Sequence, residues 1–452
     1  MGKTLFISLL MKKTLLALLV FYSSFTFAQT TQFNHPYENV SIAKGADLLL
    51  KLKFEKGAMY QFLVLQQGID VMLTLSDETN KVILEKDSPN GRYGFEIAEY
   101  LSKETKEYTL TIKKLEEDSN VDKGIISYYI KKYSKAEQAL KEKTRQGLAI
   151  ENNKNVLTAD IDHFWEAVDN LKNCKTRWDS VLSFQNLYLD RATNGLIDFI
   201  RVRNFSADEF VRTIARYPKY YQSVRPYTYE SKKAEPLIEE VFAKLKSIYG
   251  NFKPFKVCFA IGVHRTGGTV SDRYVLLGTE MITTGKNVDY SELGGNWAPK
   301  DSTKEPDIPL RIKGMIAHEC VHTQQKDKLN EKAVVCNQLY NCLREGIANF
   351  IGELITGETN YSVVNEYGDK HENELWTEFK STLCAPNVLK WLYNGATVKD
   401  RPADLGYYMG YRIAKAYYNN SSDKAQAIKD IIDMDDPLNF LQKSGYDQQK
   451  KN

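Results

Sequence analysis

The residues best suited to chemistry in this 452-residue chain are His318, Glu319 and His322, in the run HECVH. Residues four apart lie on one face of a helix, so both imidazoles can offer a nitrogen to one metal ion while Glu319 sits beside it. The surrounding stretch IPLRIKGMIAHECVHTQQ supplies apolar contacts at Ile312, Met315, Ile316 and Ala317, and no proline breaks it, which predicts a helix. With six His and 31 Glu in the chain, this pattern arises by accident about 0.005 times. Coincidence is therefore a poor explanation, and two surface histidines on an ordinary helix are the bland alternative.

A hydrolytic zinc site takes three protein donors and keeps one position open for water. Glu345, in LREGIANF (343–350), is the candidate third donor. Gly346 and Ala348 leave little bulk around it, so a second helix can pack closely against the first. Glu331, Glu353, His264 and His371 are competing donors. In such a site zinc lowers the pKa of water, and Glu319 is the base that takes its proton and passes it to the leaving amine. The second electrophile for an oxyanion stays open between Tyr407, Tyr408 and Tyr411 of LGYYMGYRI, for which packing is the competing role, and His264, in a Gly-containing loop. The strand RYVLLGTEM (273–281) is a candidate edge for pairing with an extended substrate backbone.

HExxH followed by EGxA on a later helix resembles the gluzincin clan of zinc metallopeptidases. More closely, the chain resembles a bacterial family of predicted zinc-dependent proteases related to the gliding-motility lipoprotein B family. The stretches that carry this are DIDHFWEAVDNL, PKYYQSVRP, AIGVHRTGGTVSDRYVLLGTEM, IAHECVHTQQ, LREGIANFIGELITG and LGYYMGYRIAKAY, within residues 155–446. The resemblance implies one catalytic Zn2+ held by His318, His322 and Glu345, with Glu319 as base. It also implies an acid four residues after the third ligand, where this chain has Asn349. An acid there fixes the tautomer of a ligand histidine; an Asn carbonyl still accepts the bond but brings no charge, which predicts a working, weaker metal site.

These residues need a scaffold, and the pattern along the chain predicts two. Residues 37–133 hold seven β-rich segments, ADLLLKLKF, AMYQFLVLQ, IDVMLTLSD, KVILEK, RYGFEIA, EYTLTIKK and GIISYYIKK, which suggest a β-sandwich. It resembles the pre-peptidase domains beside secreted bacterial proteases, which implies an accessory or binding role. After a charged, helix-prone connector (134–150) the period becomes helical, with Ser206 a helix start and the tyrosines of KYYQSVRPYTY assigned to packing. The expected organisation is thus a signal peptide (1–28), an all-β sandwich (29–133), the connector, and a mainly α, zincin-like catalytic domain (151–447).

Lys12 and Lys13, followed by TLLALLVFYSSFTFA, read as a signal peptide cleaved near Ala28, too short in its apolar run for a span. The chain is then expected in the periplasm or outside the cell, with no membrane span after processing. Lys+Arg number 61 against 58 Asp+Glu, and the leader removes three lysines, so the balance is even. That argues against nucleic acid or an anionic membrane as partner. Six cysteines are too few for a disulfide scaffold, and most are expected as buried free thiols. The reading is a secreted or periplasmic zinc protease acting on a peptide or protein, with the sandwich available for a surface or protein partner. The alternatives are a non-enzymatic envelope, gliding or secretion accessory with a structural metal, and a zinc hydrolase of a non-peptide amide or acyl bond.

Overall fold

The computed structural model describes residues 28–43, 45, 47–88, 91–115, 122–294, 306–326, 336–358, 362–395 and 397–449. The expected leader up to Phe27 lies outside the described residues, as does Glu331. The chain forms two compact units that divide between Gln138 and Ala139, inside helix α1 (Lys135–Asn153). No described helix is long and apolar enough to cross a membrane.

The first unit is all β. Its strands are β1 (Ala28–Thr30), β2 (Pro36–Ala43), β3 (Leu48–Phe54), β4 (Met59–Gln67), β5 (Val71–Asp77), β6 (Val82–Lys86), β7 (Tyr93–Leu101), β8 (Lys106–Lys114) and β9 (Lys123–Lys132). They form one sheet in the order β1-β3-β8-β5-β6 and a second in the order β2-β9-β4-β7. Alternation sets the faces: Leu50, Leu52 and Phe54 of β3 are buried while Lys51 and Lys53 between them are exposed. These meet Tyr60, Phe62 and Val64 of β4 in one core that draws on both sheets, with the Phe54 and Tyr60 rings stacked 4.0 Å apart. A β-sandwich results. All seven expected segments are strands; β1 and β2 were not expected. In β2 a register shift between Tyr37 and Val40, with Asn39 in the left-handed region, breaks the alternation that would have marked it.

The second unit is mainly helical around one small sheet of β10 (Val156–Leu157), β11 (Lys256–Ala260), β12 (Gly268–Val270) and β13 (Tyr274–Gly278), in the order β10-β11-β13-β12. β10, β11 and β13 run parallel, and β12 pairs antiparallel with β13. RYVLLGTEM is therefore not an edge: β13 is flanked on both sides and buried throughout. The edge on that side is β12, inside the segment HRTGGTVSD read as a turn, and β10 is the edge on the other. Before this sheet come helix α2 (Asn194–Arg203) and the helix Ala207–Arg216, which Ser206 caps by accepting from the Glu209 N–H. Tyr220 and Tyr221 are core residues, as their spacing suggested.

Candidate metal centre

Helix α3 (Ile308–His322) begins where Asp307 accepts a bond from the Leu310 N–H at 2.9 Å, with Pro309 in the first turn, where no N–H is missed. Its apolar residues Ile312, Ile316, Ala317 and Val321 are buried, which orients the opposite side of the last turn. Helix α4 (Asn337–Thr356) lies against α3 and against α5 (Leu405–Asn420). The glycines divide this work differently from the expectation. Gly346 faces α5: a Cβ there would stand 2.0 Å from the Tyr411 backbone nitrogen, and one on Gly410 would stand 1.8 Å from the Cys342 carbonyl oxygen. Toward α3 the small residue is Gly352, whose Cβ would meet the His318 backbone nitrogen at an ordinary 3.6 Å.

This packing brings His318, His322 and Glu345 together. Nε2 of His318 and Nε2 of His322 are 3.1 Å apart, and Glu345 Oε2 is 3.4 Å from the first and 3.3 Å from the second. With metal–donor bonds of 2.0–2.1 Å, a tetrahedral zinc ion spaces its ligand atoms about 3.3–3.4 Å apart. The donor set and its spacing fit that ion. Both histidines are also held by their other nitrogens. His318 Nδ1 stands 2.7 Å from Asn349 Oδ1, and His322 Nδ1 stands 2.8 Å from Gln325 Oε1. Gln325 is oriented in turn, because its Nε2 donates to the Arg344 carbonyl at 3.0 Å. Amide oxygens accept and do not donate, so each Nδ1 carries a hydrogen outward and each Nε2 is turned to the common point.

Glu319 is buried beside the triad. Burial pushes its carboxyl up to about 7, against the lowering influence of His318, Arg203 and Arg344 and with a further rise from Glu345. Glu345, half-buried, is also pushed up by desolvation, but His322 and His318 outweigh it and hold the carboxyl well below the usual range. Two carboxyls brought together from different helices are thus driven in opposite directions, one toward a proton-accepting pKa near neutrality and one toward a permanent anion.

The other expected participants lie in different contacts. Tyr408 donates to Asp369 at 2.9 Å and Tyr411 to Glu353 at 2.6 Å, so both phenols are spent away from the triad, as packing residues of α5. Tyr407 lays its ring 6.1 Å from that of His318. His264, in the left-handed region, packs edge-on against Tyr220 at 4.9 Å, gives its backbone N–H to Glu280, and is held below the ordinary histidine range by burial. Among the competing donors, Glu353 also receives Lys415, and His371 faces Glu374 and the Tyr367 ring. Cys320 is buried, with Sγ donating to the Ala317 carbonyl. Cys336, at the start of α4, is bridged to Cys384, while Cys174, Cys258, Cys320 and Cys342 are free thiols.

The phenol that does reach the triad is Tyr393, whose hydroxyl donates to Glu345 Oε1 at 3.1 Å. Although the residue is 59% exposed, partial desolvation of the hydroxyl end and the Glu345 charge raise its pKa, so it stays a donor. Its backbone is in the left-handed region at φ 58°, which is strained for an aromatic residue, and Asp404 shares that conformation. Reciprocal bonds hold the loop, Asp404 N–H to Asn394 Oδ1 at 2.9 Å and Asn394 N–H to Asp404 Oδ1 at 3.4 Å. Nothing in the sequence near Tyr393 pointed to it. Gln325 was within reach, since it stands three residues past His322 in the stretch the sequence predicts as helical, although the helix itself ends at His322.

The matching family model, described as "Predicted Zn-dependent protease (DUF2268)", covers residues 297–435, and so spans the HECVH helix, Glu345 and Tyr393. No curated protein sequence matches the chain. Among solved structures, the pre-peptidase C-terminal domain of a collagenase from Bacillus anthracis is similar at 17% identity and TM-score 0.20, over 24% of this chain and 96% of that one. PliG of Aeromonas hydrophila, a periplasmic inhibitor of g-type lysozyme, is similar at 10% identity and TM-score 0.20, over 23% of this chain and 94% of that one. At such scores the description of the β unit rests on its own sheets and core.

Proposed function

We propose that this chain is a zinc-dependent peptidase of gluzincin type, in which His318, His322 and Glu345 hold one Zn2+ and Glu319 is the general base. The observation that carries the reading is the convergence of two Nε2 atoms and one carboxylate oxygen at 3.1–3.4 Å, with both Nδ1 atoms already committed to amide oxygens. The zinc dependence in the description of the matching family model agrees with it.

When bound, Zn2+ supplies Lewis acidity that makes a nucleophile of water near neutral pH. Glu319 takes the proton of the attacking water at its carboxylate and delivers it to the departing amine nitrogen. Burial suits Glu319 to this exchange, since a carboxyl near pH 7 both accepts and releases a proton at little cost. Asn349 and Gln325 keep the imidazoles in one tautomer, and Tyr393 keeps one oxygen of Glu345 occupied, so that only Oε2 faces the histidines.

The same proposal includes export through residues 1–28 into the periplasm or beyond, with the domain limits given by the sequence and a family relation to gliding-motility lipoprotein B. A bridged Cys336–Cys384 pair supports an oxidising compartment. The β-sandwich serves as an accessory that presents substrate or attaches the enzyme to another surface. The test is zinc content of the purified chain and of His318→Ala, His322→Ala and Glu345→Ala. One equivalent in the parent, and well under a tenth in each variant at equal free zinc, is expected; full zinc in the Glu345 variant would remove it from the ligand set.

A further inference from the structure

Guanidinium groups in this unit are generally answered by carboxylates: Arg191 by Glu166, Arg225 by Asp169, Arg265 by Glu209 and Arg401 by Glu378. Arg203, the last residue of helix α2, is not so answered. Among the described residues no carboxylate stands within ion-pair distance of it. Its guanidinium makes one long bond, from Nη2 to Thr266 Oγ1 at 3.5 Å, and its Nε is buried without a partner. On the following helix Glu209 is taken by Arg265, whose other arm holds the Arg203 carbonyl, and Asp208 by Arg177 and Arg212. A partly desolvated guanidinium with so few bonds is costly to keep, and the exposed end of its fork is left with most of its bonding capacity.

Its position gives that capacity a use. Thr266 passes its own hydroxyl hydrogen to the Gly268 carbonyl at 2.5 Å, on the edge strand β12. Gly268 stands directly against the base: a Cβ there would come 2.4 Å from Glu319 Oε1. Arg203 therefore flanks the strip of edge strand that runs past Glu319. Its charge also reaches Glu319 and Tyr393, where it favours the anion.

We infer that Arg203 is a recognition residue for a substrate carboxylate, so that the peptides cleaved here carry an Asp or Glu side chain, or a free C-terminal carboxylate, close to the scissile bond. A planar guanidinium pairs with a carboxylate through two parallel bonds, and that geometry discriminates strongly against the neutral amide isostere. The inference rests on the peptidase reading and goes beyond it by naming the substrate class. Arg203 lies outside residues 297–435, the stretch matched by the family model.

Three pools of randomised peptides test it: C-terminally amidated peptides with Asp and Glu but no other charge, the same with Asn and Gln, and the Asn/Gln pool with a free C-terminal carboxylate. Cleavage by the zinc-loaded chain, Arg203→Gln and Arg203→Lys is followed by mass spectrometry. Binding of each pool to the zinc-loaded Glu319→Gln chain, with and without Arg203→Gln, is measured in parallel. The parent is expected to cleave the first or the third pool roughly 10- to 100-fold faster than the second, the size of a charge-assisted bond. Preference for the first pool assigns a side-chain carboxylate, and preference for the third a terminal one. Arg203→Gln should bring the pools level, and Arg203→Lys should keep only part of the ratio. An indifferent parent, or an Arg203→Gln chain that slows all pools by one factor, overturns the inference. If no pool is cut by any of these proteins, the peptidase reading fails, and the binding ratio on the Glu319→Gln chain alone decides carboxylate recognition: equal affinities overturn it.

Discussion

His318 Nδ1 and Asn349 Oδ1 are 2.7 Å apart, a bond between neighbouring helices that decides which nitrogen of His318 faces Glu345. The carbonyl does this without the charge a carboxylate would add. Asn349→Asp is expected to tighten zinc binding, and Asn349→Leu, which leaves Nδ1 unanswered, to weaken it by roughly 10- to 100-fold. Competition with a zinc chelator reads both, and an Asp variant with unchanged affinity contradicts the role given to this bond.

Tyr393 acts through Glu345. With its hydroxyl on Oε1, the carboxylate presents one oxygen to the histidines. Without it the carboxylate is free to turn both oxygens inward and take up the position that water needs. Tyr393→Phe should bind zinc fully at saturating metal while kcat falls about tenfold and KM stays put. Full kcat at saturating zinc would reduce Tyr393 to a packing residue.

The approach of α4 to α5 depends on Gly346 and Gly410, where added Cβ atoms would overlap backbone at 2.0 and 1.8 Å. Backbone cannot yield as a flexible side chain does, so Gly346→Ala and Gly410→Ala should each destabilise the second unit by at least about 1–3 kcal/mol, the range for overpacked cores. Thermal unfolding of the full chain checks this. A transition unchanged in both variants would mean that the helices are not held so close.

Glu280, fully buried, has a carboxyl that burial pushes up to about 7, against the backbone N–H groups of Gly262 and His264 that favour its charge. The folded-state pKa is raised, so its contribution to stability is fully present below the unfolded value near 4.5 and is lost as pH rises through about 7. Over that window the loss is of order 3 kcal/mol. Glu280→Gln should flatten this part of the stability–pH profile, measured by urea unfolding from pH 4 to 8. An equally steep profile in the variant would show that another group sets it.

Local pattern carried much of this molecule. Seven strands of the β unit announced themselves by alternation, as Leu50, Leu52 and Phe54 illustrate, and β2 did not because a bulge at Asn39 interrupts its period. HECVH was legible because one helical turn places both imidazoles together, and Glu345 and Asn349 were legible through the EGxA resemblance. What escaped was set by tertiary placement. Tyr393 comes from a loop whose left-handed backbone has no sequence signature, while three tyrosines on a regular helix drew attention that their hydrogen bonds to Asp369 and Glu353 do not support for two of them. The edge of the small sheet was misassigned for a related reason: β13 is an obvious strand and β12 a three-residue one, and only pairing tells which lies outside.

Whether Glu319 works on water at a zinc ion held by His318, His322 and Glu345 is decided by one paired measurement. Peptide-library cleavage and zinc content are determined on the same samples of the mature chain and of Glu319→Gln. One zinc in both and cleavage only in the parent is expected, with loss of at least a hundredfold in the variant. Equal cleavage in both, or zinc bound in both with no cleavage in either, would contradict it, the second outcome leaving a structural metal site or a non-peptide bond as the target.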